Sequence, residues 1–167
     1  PIFITHTMNV FGERQHPEKF IPKCIISARD NLSVEIHSNQ KKTKAGSRHY
    51  IHASDVADGC LFLIKNRNKI VKKIKNDYGG AKCPKFNLVG PVELDNLQLA
   101  KLIAKSVGKK LKYKMVDFHS SRPGHDLRYA LDGNLMKKLG WKPKVSIEER
   151  IDQVVSWTLK NKRWLKI

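Results

Sequence analysis

The sequence predicts an α/β domain, because segments with strand-like and helix-like patterns alternate along its 167 residues. The first such segment, residues 2–4, consists of three consecutive apolar residues, as expected for a strand of a parallel sheet that is covered on both faces. Further along, apolar residues recur every three or four positions, which is typical of amphipathic helices. Hydrophobic residues make up 40% of the chain, so a sizeable core is possible.

The first half of the chain contains several predicted elements after the opening strand of residues 1–5. Residues 20–29 have a helical apolar pattern, and Pro22 is acceptable there only because it falls in the first turn. Residues 34–37 alternate like a strand, and residues 38–47 are polar and rich in lysine, which favours a loop. A strand over residues 48–52 and an amphipathic helix over residues 56–65 follow.

The second half is predicted to continue the alternation after residues 66–84, a lysine-rich segment interrupted by Gly79 and Gly80. Residues 85–90 are predicted to form a strand, and a helix then begins at Asp95, which has a glutamine three residues later as in a capping box. A strand over residues 112–118 and a short helix over residues 132–139 come next. Ser146 and Glu149 predict a second capping box at the start of the last helix.

The formal net charge of +18 is the most unusual property of the composition. Such a charge raises the question of binding to nucleic acid or to an acidic membrane surface. However, 25 of the 33 basic residues are lysine, and they are scattered along the chain. We therefore expect a solvated lysine surface with weak, nonspecific nucleic-acid binding at most, and no membrane binding.

The cysteines and the apolar runs bear on the cellular location of the protein. Cys24, Cys60 and Cys83 are odd in number and far apart, which predicts reduced thiols and a cytoplasmic location. They form no CxxC pair, so we expect no zinc site. No apolar run approaches the roughly 20 residues of a membrane span.

The turn at Pro123-Gly124 is the strongest local signal of a binding site. Proline presets φ, and glycine accepts the positive φ that other residues resist. Arg122 precedes this turn, and His125 and Arg128 follow it. Guanidinium groups bind phosphate through two parallel hydrogen bonds, so the turn suits an anionic ligand. A plain surface turn in which Arg128 merely pairs with Asp126 is the alternative interpretation.

The same turn carries the residues by which the chain resembles a known family. RPGHDxRYAxD followed by LGWKP is similar to the C-terminal signature of the nucleotide-sugar 4,6-dehydratases, which are extended short-chain dehydrogenases/reductases. NVFGERQHPEKFIP, residues 9–22, resembles a second segment of the same family. The resemblance implies that residues 1–167 form the C-terminal part of such an enzyme. This part would comprise the last strands of a Rossmann-like parallel sheet plus a smaller mixed α/β substrate-binding lobe, without the N-terminal NAD-binding part.

The resemblance also implies which residues bind the nucleotide-sugar substrate. Val10 departs from the family pattern, since many relatives carry an asparagine there. His37 corresponds to a position near the base, where it could stack, although a plain surface histidine is an equal alternative. The implied substrate-binding residues are Asn9, Lys19, Phe20, Arg48, Asn87, Arg122 and His125.

The residues that catalyse the family's reaction are not expected in this chain. The glycine-rich turn that holds the dinucleotide is missing, and so are the acidic residues that transfer protons. Tyr78 and Lys82 have the spacing of the family's catalytic pair, but the two glycines between them disfavour the helix that this pair requires. We therefore expect the catalytic residues in the N-terminal half, no metal, and NAD as cofactor of the intact enzyme, at residues that this chain does not identify.

Taken with the resemblance, these observations predict the substrate-binding portion of an NAD-dependent sugar-nucleotide 4,6-dehydratase, a lyase. In this reaction, hydride leaves C4 of the hexose, water is lost across C5 and C6, and hydride returns to C6. The intact enzyme is expected to be a homodimer, and this chain alone is expected to be inactive. A sugar-nucleotide epimerase or decarboxylase of the same family is one alternative, and a basic nucleic-acid-binding module is another.

Overall fold

The computed structural model describes residues 2–78, 84–117 and 126–165 of the chain. These residues form short strands and longer helices in alternation, which confirms the predicted α/β class. The helices are Phe20–Arg29 (α1), Ala53–Lys65 (α2), Arg67–Tyr78 (α3), Asn96–Val107 (α4), Asn134–Leu139 (α5) and Ile147–Lys160 (α6). The strands are Ile4–Thr7 (β1), Val10–Phe11 (β2), Ser33–Ser38 (β3), Ser47–His49 (β4), Ile51–His52 (β5), Lys85–Leu88 (β6), Glu93–Asp95 (β7), Lys112–Asp117 (β8) and Arg128–Tyr129 (β9).

Parallel pairing dominates the small sheets. Strand β1 pairs with β6, β2 with β5, and β3 with β8, in each case in parallel. In the remaining sheet, β4 lies between an antiparallel neighbour, β7, and a parallel neighbour, β9. Parallel strands need crossover connections, and the helices between the paired strands supply them.

The described residues bury two apolar clusters. The first joins α1, β3, α4 and α6 through residues that include Cys24, Ile36, Ile103 and Val154. The second joins β5, α2, α3, β6 and α5 and includes Phe86 and Trp141.

The prediction of a fully buried opening strand is wrong. Strand β1 begins at Ile4, Ile2 is 75% exposed, and residues 5–7 are exposed. Within the described residues β1 has one partner strand, β6, so only part of its surface is covered. Apolar residues in sequence predict burial on both faces only where neighbours exist on both sides.

Residues 67–78, part of the lysine-rich segment to which the sequence assigned no helix or strand, form helix α3. The apolar residues of this helix are few, but Ile70 and Ile74 lie four positions apart and are both buried in the second cluster. A single i, i+4 pair among lysines is a weak signal of helix, and packing against the second cluster stabilises the helix. The short strands β7 and β9 were also not predicted, because two or three residues carry no readable alternation.

The helix ends follow the predicted capping chemistry. Asp95 accepts a hydrogen bond from the backbone nitrogen of Gln98 and the Gln98 side chain reciprocates, which confirms the capping box of α4. Gly108 ends α4 in the left-handed conformation, with φ at 75°. Ser146 caps α6 by accepting from the nitrogen of Glu149, whereas the Glu149 carboxylate accepts a hydrogen bond from Gln153. The second predicted capping box is therefore only half formed.

None of the helices in the described ranges is long and apolar enough to cross a membrane.

Candidate functional site

A cavity of about 610 Å³ lies beside the start of α1 and the face of β3 that points away from the first cluster. The link between β1 and β2, the loop before α1 and strand β4 complete its wall. The sequence-predicted residues on this wall are Asn9, Lys19, Phe20, His37 and Arg48. They come from segments up to 39 positions apart, so the fold brings together residues that the sequence separates.

Asn9 occupies the turn between β1 and β2 with φ at 45°. Asparagine tolerates this left-handed region better than most residues, because its short polar side chain can bond locally. The carbonyl of Asn9 accepts a hydrogen bond of 3.4 Å from the nitrogen of Ile51, which ties the turn to β5. The Asn9 side chain is thereby held at the cavity wall.

Lys19 and Phe20 are the first residues of α1 on this wall. Lys19 is the N-cap residue, and its side chain makes no capping hydrogen bond to the first turn. The α1 amino terminus therefore presents backbone N–H groups that no side chain occupies, and the helix dipole is positive at this end. With the Lys19 ammonium beside it, the end of α1 favours an anion.

Arg48 lies on β4 with its guanidinium held by backbone carbonyls. Nη1 donates to the carbonyls of Ser47 at 2.6 Å and Leu127 at 3.2 Å, and Nη2 donates to the carbonyl of Asp126 at 2.8 Å. The guanidinium also lies 5.9 Å from the ring centre of Tyr129. Carbonyls orient the group without neutralising it, so its positive charge stays available to a ligand in the cavity.

The loop between β2 and α1 is fixed to the last helix. Arg14, with φ at 65°, places its guanidinium 5.9 Å from the ring centre of Trp157 on α6. The next residue, Gln15, lines the cavity and donates a hydrogen bond to the carbonyl of Val10. This contact positions the loop that carries part of the cavity wall.

Tyr50 and Asn96 form a buried polar pair on the wall that the sequence analysis did not identify. The Tyr50 hydroxyl donates to Oδ1 of Asn96 over 2.6 Å, and burial raises the pKa of Tyr50 far above its usual value. The hydroxyl is therefore neutral and committed to Asn96. Tyr50 follows Arg48 by two residues in a predicted strand. Alternate residues of a strand point to the same face, and this spacing is the only sequence signal that could have placed Tyr50 beside Arg48.

Asn87 is not brought into this cavity. It lines a second cavity of about 380 Å³, together with His49, Asp132 and Trp141. The Asn87 amide nitrogen donates to the carbonyl of Asp132 at 2.8 Å, and Oδ1 lies 3.2 Å from Nδ1 of His6. Its polar groups are therefore used within the protein in this structure, and its substrate role stays a prediction.

Arg122 and His125 lie outside the described residues, and so does Lys82 of the rejected Tyr78–Lys82 pair. The described chain resumes at Asp126, whose carbonyl Arg48 binds. Arg128 in β9 donates to both carboxylate oxygens of Glu93 at 2.8 Å. The alternative that Arg128 pairs with Asp126 is thus wrong in its partner, because the carboxylate that Arg128 binds is Glu93 of β7.

The described ranges contain no group of three or more His, Cys, Asp or Glu side chains that could hold a metal ion. His52 instead caps α2, because its Nδ1 accepts from the backbone nitrogen of Ser54 at 3.2 Å. The chemistry that the wall can supply is therefore binding of an anion by Lys19, Arg48 and the α1 amino terminus, with amide contacts from Asn9.

Comparisons with known proteins identify the proteins that this chain resembles. Residues 1–77 match the model of the NAD dependent epimerase/dehydratase family. The chain is 33% identical over 165 residues to the dTDP-D-glucose 4,6-dehydratase of Mus musculus, covering 96% of this chain and 42% of the relative. It is 34% identical to the low-salt glycan biosynthesis protein Agl12 of Haloferax volcanii, covering 45% of that protein.

Solved structures of similar proteins share the fold of this chain. The DesIV dTDP-glucose 4,6-dehydratase of Streptomyces venezuelae, crystallised with NAD and TYD bound, superposes with a TM-score of 0.74 at 28% identity. The match covers 98% of this chain and 45% of that one. The chain thus spans slightly less than half the length of the relatives that it matches.

Proposed function

Because residues 1–77 carry a domain of the NAD dependent epimerase/dehydratase family and the chain is homologous to one half of the dTDP-glucose 4,6-dehydratases, we propose that it binds the substrate of such an enzyme. The substrate would be a nucleoside diphosphate glucose with thymine or uracil as base. The intact enzyme would convert it to the 4-keto-6-deoxy sugar. The proposal extends to a homodimeric intact enzyme in the cytoplasm.

The single observation that supports this proposal most is the composition of the 610 Å³ cavity. It combines three cationic side chains, Lys19, Lys23 and Arg48, with a start of α1 that the Lys19 side chain does not cap. A diphosphate is a divalent anion rich in oxygen atoms, and helix amino termini with basic side chains are common sites for it. The volume lies within the range of small-molecule sites, about 300–1,000 Å³.

Within this proposal, each wall residue has a positioning role. Arg48 and Lys19 hold the diphosphate, Asn9 donates or accepts a hydrogen bond through its amide, and Phe20 provides an apolar contact. The roles of Asn87, Arg122 and His125 rest on the family resemblance. Binding energy gathered on the nucleotide holds the hexose in place for chemistry at a distant atom.

NAD supplies the redox chemistry of this reaction by accepting hydride from the sugar and returning it. The residues of this chain do not fit a dinucleotide site by themselves, since the sequence has no glycine-rich turn between a strand and a helix. We therefore assign no residue here to the cofactor. The tasks proposed for this chain are to bind the nucleotide, to orient the sugar and to exclude water from it.

The proposal predicts that the 167-residue chain alone turns over no dTDP-glucose or UDP-glucose when NAD is added. Fusion to the N-terminal half of a homologous dehydratase is expected to give NAD-dependent formation of the 4-keto-6-deoxy sugar. The ultraviolet absorbance of that keto sugar in alkali measures it. A strong signal from the chain alone would contradict the assignment of catalysis to the other half.

A further inference from the structure

The face of β3 that lines the cavity carries an alternating row of polar residues. Ser33, Glu35 and His37 are exposed and lie on the cavity wall. Val34 and Ile36 between them are buried in the first cluster, and Val34 also borders the cavity. This is the period of two that a strand with one buried face requires. The cavity therefore has a polar strand on one side and the cationic start of α1 among its other walls.

Glu35 is an unexpected residue in a cavity that is otherwise suited to an anion. Two carboxylates line this cavity, and one of them, Glu18, lies 3.8 Å from Nδ1 of His16. Glu35 is exposed, and among the described residues its side chain has no hydrogen-bond or ion-pair partner. An unpaired carboxylate repels phosphate. The Glu35 carboxylate therefore suits an uncharged part of the ligand that donates hydrogen bonds.

The neighbouring strand places a donor beside this acceptor. Strand β8 runs parallel to β3 in a register that pairs Glu35 with Lys114. Paired positions of adjacent strands point to the same face of a sheet, about 4.8 Å apart. Lys114 is exposed, and its side chain also has no partner within the described ranges. The sheet therefore presents an acceptor and a donor side by side next to the cavity.

We propose that Glu35 and Lys114 select the base of the sugar nucleotide, an inference that rests on the proposed function. Glu35 accepts the ring N3–H of uracil or thymine, and Lys114 donates to the adjacent carbonyl O4. The diphosphate then extends towards Arg48 and Lys19, away from the carboxylate. No base in this position satisfies both side chains unless it has a ring N–H next to a carbonyl.

Cytosine is the most informative base for comparison, because it has the same size and shape as uracil. Its N3 is an acceptor and its exocyclic N4 is a donor, which reverses the pattern of uracil. Cytosine would place N3 against the Glu35 carboxylate and the N4 amino group against the Lys114 ammonium. Cytosine is therefore disfavoured, because it turns its own acceptor towards the carboxylate and its own donor towards the ammonium.

Calorimetric titration of the 167-residue chain with UDP and with CDP tests this inference. We expect UDP to bind at least about 10-fold more tightly than CDP. A pair of hydrogen bonds to the edge of a base can discriminate between two bases to this extent. The variants Glu35→Ala and Lys114→Met are expected to bring the ratio of the two dissociation constants close to one. CDP binding then verifies that each variant still folds and holds a diphosphate.

Glu18→Ala is the matched control, because it removes the other carboxylate of the same wall. It is expected to change the affinities for UDP and CDP by the same factor and to leave their ratio unchanged. Equal binding of UDP and CDP to the unmodified chain, or a ratio that survives in Glu35→Ala, would overturn the base-selection inference alone. Failure of both nucleotides to bind the folded chain would instead reject the proposed function.

Discussion

At the scale of single residues, Arg48 makes contacts in the structure that its sequence motif does not indicate. The family resemblance indicated an arginine for the diphosphate, and the structure places Arg48 on the cavity wall as that interpretation requires. The sequence could not indicate that the same guanidinium binds the carbonyls of Asp126 and Leu127, 78 and 79 positions away. Arg48 therefore also holds the chain at residues 126–127, which follow Pro123-Gly124 in the sequence.

Glu93 was not identified from the sequence either, although it is the most strongly perturbed described carboxylate. Both of its oxygens accept from Arg128 and one accepts from the Ser47 hydroxyl at 2.7 Å. These bonds lower the pKa of Glu93 from its ordinary 4.5 to about 2, the contacts to Arg128 being the largest cause. Partners of Glu93 lie 35 and 46 positions away in sequence, so only the folded sheet brings them together.

The lowered pKa of Glu93 predicts how stability depends on pH. A carboxylate with a depressed folded-state pKa contributes stability above its unfolded pKa and loses that contribution as pH falls through the folded value. The Glu93 contribution is therefore expected to disappear between about pH 4.5 and about pH 2. Denaturant unfolding measured across this window should show a shallower pH slope for Glu93→Gln than for the unmodified chain. Equal slopes would mean that the ionised form of Glu93 adds nothing to stability.

At the scale of helices and strands, prediction succeeded where local chemistry alone decides the structure. Helix α1 has the bounds that its apolar period indicated, and α4 begins at the capping box read from Asp95 and Gln98. Prediction failed where packing decides. The helical state of residues 67–78 depends on burying Ile70 and Ile74 against the second cluster, and the exposure of β1 depends on how many strands flank it.

A buried ion pair joins two of these elements across the chain. Asp55, 5% exposed in α2, accepts hydrogen bonds of 2.6 Å and 3.1 Å from Arg150 of α6. Each residue belongs to a different part of the sequence, so no local pattern could have predicted the pair. It connects the segment after β5 with the helix that also fixes the cavity loop through Trp157.

Removal of one partner of this pair should be costly. Asp55→Ala leaves the Arg150 guanidinium buried without its carboxylate, and we expect the free energy of unfolding to fall by about 3–5 kcal/mol. Asp152→Ala, at an exposed position of α6, serves as control and should change it by less than about 0.5 kcal/mol. Urea unfolding followed by circular dichroism measures both. A loss below about 1 kcal/mol in Asp55→Ala would show that the pair is dispensable.

At the scale of the whole molecule, the α/β class and the similarity to the 4,6-dehydratases were predictable, whereas the assembly of the cavity was only partly so. The resemblance placed Asn9, Lys19, Phe20 and Arg48 in one site, and the structure brings these four to one wall. It also placed Asn87 there, but hydrogen bonds to His6 and Asp132 keep Asn87 in another cavity. Motifs identify residue types, whereas the direction of a side chain depends on partners that are distant in sequence.

The net charge of +18 leads to a prediction about nonspecific binding. Scattered lysines attract the phosphate backbone without reading bases. Affinity should therefore fall steeply as the salt concentration rises, because the release of condensed counterions on binding becomes less favourable. We expect weak binding of duplex and single-stranded DNA at low salt and loss of this binding at physiological salt, measured by fluorescence anisotropy. Submicromolar binding with sequence preference at physiological salt would instead support a nucleic-acid-binding function.

The most direct test of the central claim is a calorimetric titration of the 167-residue chain with dTDP-glucose and UDP-glucose. The account predicts saturable binding of at least one of them. Arg48→Ala should weaken it by about 1.5–3 kcal/mol, the range for charge-assisted hydrogen bonds, and Arg48→Lys should not fully restore it. Arg29→Ala removes a charge on the far end of α1 and should leave the affinity unchanged. Absence of saturable binding to the folded chain, or equal affinity in Arg48→Ala, would contradict the account.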